Sequence, residues 1–152
     1  MRKEEISIIV VDDLQFSREV VKSGLGKSGY KDIRTASSAD EALYLLNERR
    51  ALVVLADFWM PGMNGLEMTD LIRRWDENND RYTGIILLTA EDTTSSILVA
   101  FDRGVDDFFR QAGREDGAEG EKHQCKGIAA IFQDAQASCL VRVGRLQPER
   151  NP

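Results

Sequence analysis

Leu52-Val53-Val54-Leu55-Ala56-Asp57-Phe58-Trp59-Met60-Pro61-Gly62-Met63-Asn64-Gly65 is the stretch that decides how the chain folds. Leu52 to Ala56 are apolar without a break, which reads as a short strand buried on both faces rather than one with a solvated side. A carboxylate, Asp57, follows at its carboxyl end. Pro61-Gly62-Met63-Asn64-Gly65 then marks a turn. Beyond it Met68, Leu71, Ile72 and Trp75 recur at i, i+3, i+4 and i+7, the spacing of an amphipathic helix. A buried strand, an acidic turn and a helix in that order form half of a parallel β-α-β unit.

The same grammar repeats outward in both directions. Ile6–Val11 is a second apolar run, followed by Asp12-Asp13 and a helix from about Phe16 to Lys27, with Gly29 as its stop. Asp32–Ala36 is a weaker strand. Ser38-Ala39-Asp40-Glu41 has the form of a capping box, with Ser38 as the cap and Glu41 reaching back; Ala42, Leu45 and Leu46 give the apolar face of the helix it opens. Ile85–Leu88 is another strand, and Ile97, Ala100 and Phe101 mark a helix ending at Gly104. Asp107–Phe109 begins a fifth strand. Apolar strands separated by helices imply a doubly wound five-stranded parallel sheet of the α/β class. In such sheets ligands and chemistry gather at the carboxyl ends of the strands.

Composition narrows the function. The chain has 152 residues, 42% hydrophobic and 30% charged, which suits one soluble domain. No apolar run approaches the roughly 18 residues of a membrane helix. The charged start, Met1-Arg2-Lys3-Glu4-Glu5, is unlike a signal peptide, so a cytoplasmic protein without a membrane partner is expected. A net charge of −6 argues against direct nucleic-acid binding by this chain. Cys125, Cys139 and a single His make neither a zinc site nor a disulfide framework.

Asp12 and Asp13 close the first strand, Asp57 the third, and Thr89 the fourth. A lone Asp-Asp after a strand ordinarily caps a helix or makes a turn. Several such residues at the same ends of successive strands make a site. Clustered carboxylates repel one another unless a cation joins them. An all-oxygen donor set suits Mg²⁺. A carboxylate beside such an ion can accept a phosphoryl group, with the Thr89 hydroxyl in place to bond a phosphoryl oxygen.

Ile8-Ile9-Val10-Val11-Asp12-Asp13, Asp57 to Gly65, Leu87-Leu88-Thr89-Ala90 and Gly104-Val105-Asp106-Asp107-Phe108-Phe109 together resemble the response-regulator receiver domain of two-component signalling. The resemblance covers residues 6 to 110, in the family's order and spacing. It implies a flavodoxin-like receiver fold over residues 1–110. It makes Asp57 the phosphoacceptor, with Mg²⁺ held by Asp12, Asp13, Asp57 and the backbone carbonyl of Trp59. It makes Thr89 and Phe108 the switch pair, although Phe108 reads equally as a plain core aromatic. The implied phosphodonor is a sensor histidine kinase or a phosphotransfer protein. The chain would act as a switch on an output domain or partner, not as a classical enzyme. A phosphatase with an aspartyl nucleophile usually needs a second carboxylate close by in sequence, and Trp59 stands two residues after Asp57. Leu14 replaces an acidic residue common in the family.

The larger departure is Gln111-Ala112, where the family has Lys-Pro. Gln donates a hydrogen bond but carries no charge. This motivates a second reading, a receiver-like protein-binding module impaired in phosphorylation. Gln111 to Gln124 holds no aliphatic residue larger than alanine and four acidic ones, Glu115, Asp116, Glu119 and Glu121. Residues 111–152 are therefore expected to be an atypical tail, disordered or out of frame, with the last helix absent or replaced. Read one base later, codons permitted for Gln111 to Gly120 spell Lys-Pro-Val-Val-Lys-Met-Val-Leu-Lys-Ala. That peptide restores Lys-Pro and an apolar-periodic helix. If it is the true frame, the protein would be longer, with room for an output domain.

Overall fold

The computed structural model describes residues 2–89 and 94–110, the side chains at 89, 94–97, 109 and 110 excepted. A 3-10 turn at Lys3–Glu5 leads into β1 (Ser7–Val11), α1 (Gln15–Lys27), β2 (Asp32–Ala36), α2 (Ala39–Glu48) and β3 (Val53–Asp57). Then come α3 (Gly65–Asn79), β4 (Gly84–Thr89), α4 (Thr94–Asp102) and β5 (Asp107–Arg110). The strands form one sheet in the order β2-β1-β3-β4-β5, every pairing parallel. The chain reverses its direction of travel across the sheet between β2 and β3. The strands on either side of that reversal, β1 and β3, are neighbours, which creates a crevice at their carboxyl ends.

Strand alternation sorts the apolar residues onto two faces. On one, Ile9 and Val11 of β1, Val54 and Ala56 of β3, and Ile85 and Leu87 of β4 meet Leu46 of α2, Met68 and Ile72 of α3, and Ala100 of α4. On the other, Ile8, Val10, Val53, Leu55, Ile86 and Leu88 cluster with Val21 and Leu25 of α1. Both faces are therefore buried, as the unbroken apolar strands require.

Local signals set most boundaries. The Ser38 hydroxyl accepts from the Glu41 amide at 3.1 Å, as a cap should. The returning half of the expected box differs. The Glu41 carboxylate takes the amide and hydroxyl of Ser37, at 2.9 and 2.6 Å, one residue before the cap. Both bonds hold Glu41 below its usual carboxylate range. β3 runs one residue further than its apolar stretch, so Asp57 is its last residue rather than its successor. Of the expected α3 stripe, Met68 and Ile72 are fully buried, while Leu71 lies at the rim, 37% exposed. Phe101 of α4 is exposed too, and among the described side chains of that helix Ala100 joins the core, Ile97 lying outside them.

Candidate functional site

β1 and β3 pair in register, Val11 beside Ala56, so the residues after them emerge side by side. Asp12, Asp13 and Asp57 each offer a carboxylate oxygen, and these oxygens all lie within 4.8 Å of one another. Asp12 is buried, Asp57 half-buried and Asp13 exposed, so the cluster descends from the sheet edge towards solvent.

The backbone fixes Asp12. Its amide donates to the Ala36 carbonyl of β2 at 3.1 Å. Its side chain accepts from the Leu14 amide at 3.0 Å, and its carbonyl accepts from the Arg18 guanidinium at 2.7 Å. Burial pushes the Asp12 carboxyl up to about 6. The Leu14 hydrogen bond opposes this, and the neighbouring Asp57 and Asp13 charges add to it. Three clustered acid groups, one of them reluctant to ionise, form the donor set that a hard divalent cation relieves. The residues present therefore fit Mg²⁺.

Asp57 ends β3 opposite Leu88 of β4, and the Phe58 amide donates to the Leu88 carbonyl at 2.8 Å. Its side chain accepts from the Trp59 amide at 3.3 Å. Trp59 is 55% exposed, with its ring edge-on to Phe58 at 4.8 Å. Pro61 and Gly62 turn the chain, Gly62 at φ +79, a conformation glycine adopts without strain. Asn64 then caps α3, its side chain accepting from the Glu67 amide at 2.9 Å.

Gly65 is the supporting residue that the motif reading passed over. A Cβ there would lie 3.0 Å from the Asp57 carbonyl oxygen and 3.0 Å from Leu87. Its absence lets the start of α3 close against the back of the acidic turn. The turn ending at Gly65 was legible in the sequence; the reason for glycine was not, because Leu87 approaches from another strand. Arg18, which braces the Asp12 carbonyl, was missed because a helix-borne arginine bonding a loop carbonyl six residues back leaves no mark in the apolar pattern.

The remaining expected residues divide. β4 ends at Thr89, one residue past the partner of Asp57 and at the same sheet edge. Phe108 of β5 pairs with Leu87 and is half-buried, its ring edge-on to Phe58 at 6.4 Å. That places an aromatic beside the acidic turn through one intervening ring. Gln111 lies outside the described residues.

A doubly wound parallel sheet with three carboxylates at the β1/β3 crevice defines a class of α/β proteins that act at strand ends. Within that class, the chain belongs to the response regulator receiver domain family, which it matches over residues 8–116. It is 33% identical over 106 residues to the transcriptional regulatory protein YvrH of Bacillus subtilis, covering 70% of this chain and 43% of that protein. It is 31% identical over 105 residues to the chemotaxis protein CheY1 of Helicobacter pylori, covering 68% of this chain and 83% of that one. The solved structure of the chemotaxis response regulator CheY4 of Vibrio cholerae superposes with a TM-score of 0.72 at 22% identity, over 86% of this chain and 98% of that chain. The chain thus spans less than half the length of the transcriptional regulator. Among the described residues, no helix is long and apolar enough to cross a membrane.

Proposed function

We propose that the protein is a phosphoacceptor receiver of a two-component phosphorelay, a cytoplasmic switch that takes a phosphoryl group on Asp57. The observation that carries this reading is the convergence of Asp12, Asp13 and Asp57 within 4.8 Å at the carboxyl ends of β1 and β3. An Asp57 oxygen attacks the phosphorus of a phosphohistidine on a sensor kinase or phosphotransfer protein. The phosphorus–nitrogen bond breaks, the histidine keeps the electron pair, and Asp57 becomes an acyl phosphate. Asp12 and Asp13, with Asp57 and the Trp59 carbonyl, would hold Mg²⁺, which spreads the charge of the phosphoryl oxygens. Asp12 stays in place through its Leu14 and Arg18 contacts. Thr89 bonds the new phosphoryl group, and Phe108 follows it inward beside Phe58. The output is a partner or a further domain. The chain turns over no substrate of its own.

The experiment is intact-mass measurement after incubation with acetyl phosphate and Mg²⁺. One phosphoryl group on the wild type and none on Asp57→Asn is expected; equal uptake by both sinks the assignment. Gln111, where the family has lysine, supports a second reading, a receiver-like binding module impaired in phosphorylation. No uptake by a folded wild type would select it.

A further inference from the structure

Arg18 of α1 brings a positive charge to the border of the acidic crevice, and spends its bond there on the backbone. It is half-buried, and its Nη1 donates to the Asp12 carbonyl at 2.7 Å. The Arg18 amide in turn donates to the Leu14 carbonyl at 3.1 Å, and the Leu14 amide donates to the Asp12 carboxylate at 3.0 Å. The start of α1 thus grips Asp12 twice, at its side chain and at its carbonyl.

The second grip bears on Asp13. The Asp12 carbonyl and the Asp13 amide belong to one planar peptide group. A charge-assisted bond to that carbonyl fixes the plane, and with it the direction in which the chain enters Asp13. The other side of Asp12 is already fixed, because its amide donates to the Ala36 carbonyl of β2 at 3.1 Å. Asp13 itself is exposed, so its place beside Asp12 follows from the peptide between them.

Arg18 is supported from α2. One oxygen of Glu41, Oε2, takes both the amide and the hydroxyl of Ser37, at 2.9 and 2.6 Å. Ser37 directly follows Ala36, whose carbonyl holds the Asp12 amide. The Glu41 carboxyl is held low first by the Ser37 hydroxyl, then by the Ser37 amide, and last by the charge of Arg18. Glu41 is therefore anchored to the end of β2, and its charge acts on Arg18. The contacts run from Ala36 and Ser37 through Glu41 and Arg18 to Asp12, and back to Ala36.

We propose that Arg18 is a positioning residue for the acidic crevice: through the Asp12–Asp13 peptide it sets how the two carboxylates stand to each other, with Glu41 as its support. A cation then strengthens the binding of another cation. The inference deepens the phosphoacceptor reading and rests on its Mg²⁺ site.

Charge and positioning predict different signs. By charge alone, losing Arg18 tightens Mg²⁺ and losing Glu41 loosens it. By positioning, both losses loosen it. The experiment is calorimetric titration of the folded full chain with magnesium chloride. Arg18→Gln is expected to bind about tenfold more weakly, the low end for an outer partner of a metal ligand. Glu41→Gln is expected to lose about threefold, the scale of an exposed charge pair. The double variant should bind no more weakly than Arg18→Gln, because Glu41 acts through Arg18. Arg49→Gln is the matched control. It removes the same charge and unties α2 from Asp32 of β2, but leaves Ser37, Glu41 and Arg18 in place. Its affinity should equal that of the wild type.

A metal-free arm reads the backbone directly. The amide resonances of Asp13 and Leu14 should move in Arg18→Gln and also in Glu41→Gln, and stay in place in Arg49→Gln. Mg²⁺ binding by Arg18→Gln as tight as the wild type or tighter overturns the proposal, because charge alone would then govern. Additive losses in the double variant overturn it, because the two side chains would then act separately. An equal loss in Arg49→Gln overturns it too, because the effect would then be one of stability. Absence of Mg²⁺ binding by the wild type counts against the metal reading alone. The metal-free arm then decides, and unmoved Asp13 and Leu14 amides in Arg18→Gln and Glu41→Gln overturn the proposal.

Discussion

Asp12 is the residue at which the cost of the site is most visible. Its carboxyl, raised to about 6, holds a proton in the folded protein that the unfolded chain releases near its ordinary 3.8. Between those values the folded state binds more protons, so stability falls as pH rises through the window. The full loss is about 3 kcal/mol by pH 7 in metal-free protein. The depressed carboxyls of Asp32 and Glu41 act with the opposite sign, but below about pH 4.5, where their unfolded forms titrate. Melting in the presence of a chelator is therefore expected to be lower at pH 7 than at pH 5.5. Mg²⁺ reverses this, because it binds the ionised cluster. A hundredfold excess over the dissociation constant adds about 2.7 kcal/mol. The gain should be large at pH 7 and shrink below pH 6 as Asp12 takes up its proton. A melting temperature indifferent to Mg²⁺ at both pH values would show that the cluster does not bind it. Asp13→Ala is expected to remove the Mg²⁺ response and to raise metal-free stability slightly.

At the scale of elements, α3 links the acidic turn to the rest of the sheet. Its cap and its first residue do separable jobs. Asn64→Ala removes the acceptor for the Glu67 amide and is expected to cost about 1 kcal/mol of stability, read from the urea midpoint, with phosphate uptake little changed. Gly65→Ala puts a methyl group 3.0 Å from the Asp57 carbonyl oxygen and Leu87. The helix must retreat, at about 1–3 kcal/mol, and it carries the acidic turn with it. Slower uptake from acetyl phosphate is expected, and an unchanged rate would show that the turn is positioned independently of α3. This division also explains what the sequence disclosed. β1, β3 and β4 were legible because both faces of each are buried, leaving apolar runs such as Ile85–Leu88, whereas the half-buried β2 gave a weaker signal. The acidic site was legible because its members sit at fixed places after those runs. The bonds of Arg73 in α3 were not, because Arg73 meets Gly104 and Asp106 across 31 and 33 residues, and no local periodicity records such a pairing. The return of Glu41 to Ser37 instead of Ser38 was invisible for a smaller reason: a carboxylate at that spacing reaches either amide.

Across the whole molecule the two faces of the sheet are unequally furnished. α2, α3 and α4 all lay side chains on one face. On the other, Val53, Leu55, Ile86 and Leu88 are buried, yet among the described residues α1 is the only helix contributing to the cluster, and it lies against β1 and β2. A helix suited to cover β3 and β4 on that side needs apolar residues at i, i+3 and i+4. The family match runs only to residue 116, six residues past β5. Ile128, Ile131 and Phe132 fall at i, i+3 and i+4, the one apolar spacing in the tail suited to the task. The shifted-frame peptide beginning Lys-Pro suits it better, with Val, Met and Leu at helical intervals. A covering helix buries several side chains at roughly 1.5–3 kcal/mol each, against net stabilities of about 5–15 kcal/mol. The chain carrying the shifted-frame peptide from position 111 is therefore expected to melt higher than the chain as written, and to remain monomeric at higher concentration. It should also respond more strongly to acetyl phosphate, since it regains a lysine whose charge-assisted bond is roughly twice as strong as one from Gln111. Indistinguishable melting and uptake would make Gln111 onward a competent ending, and codons incompatible with Lys-Pro in the shifted frame would exclude the alternative outright.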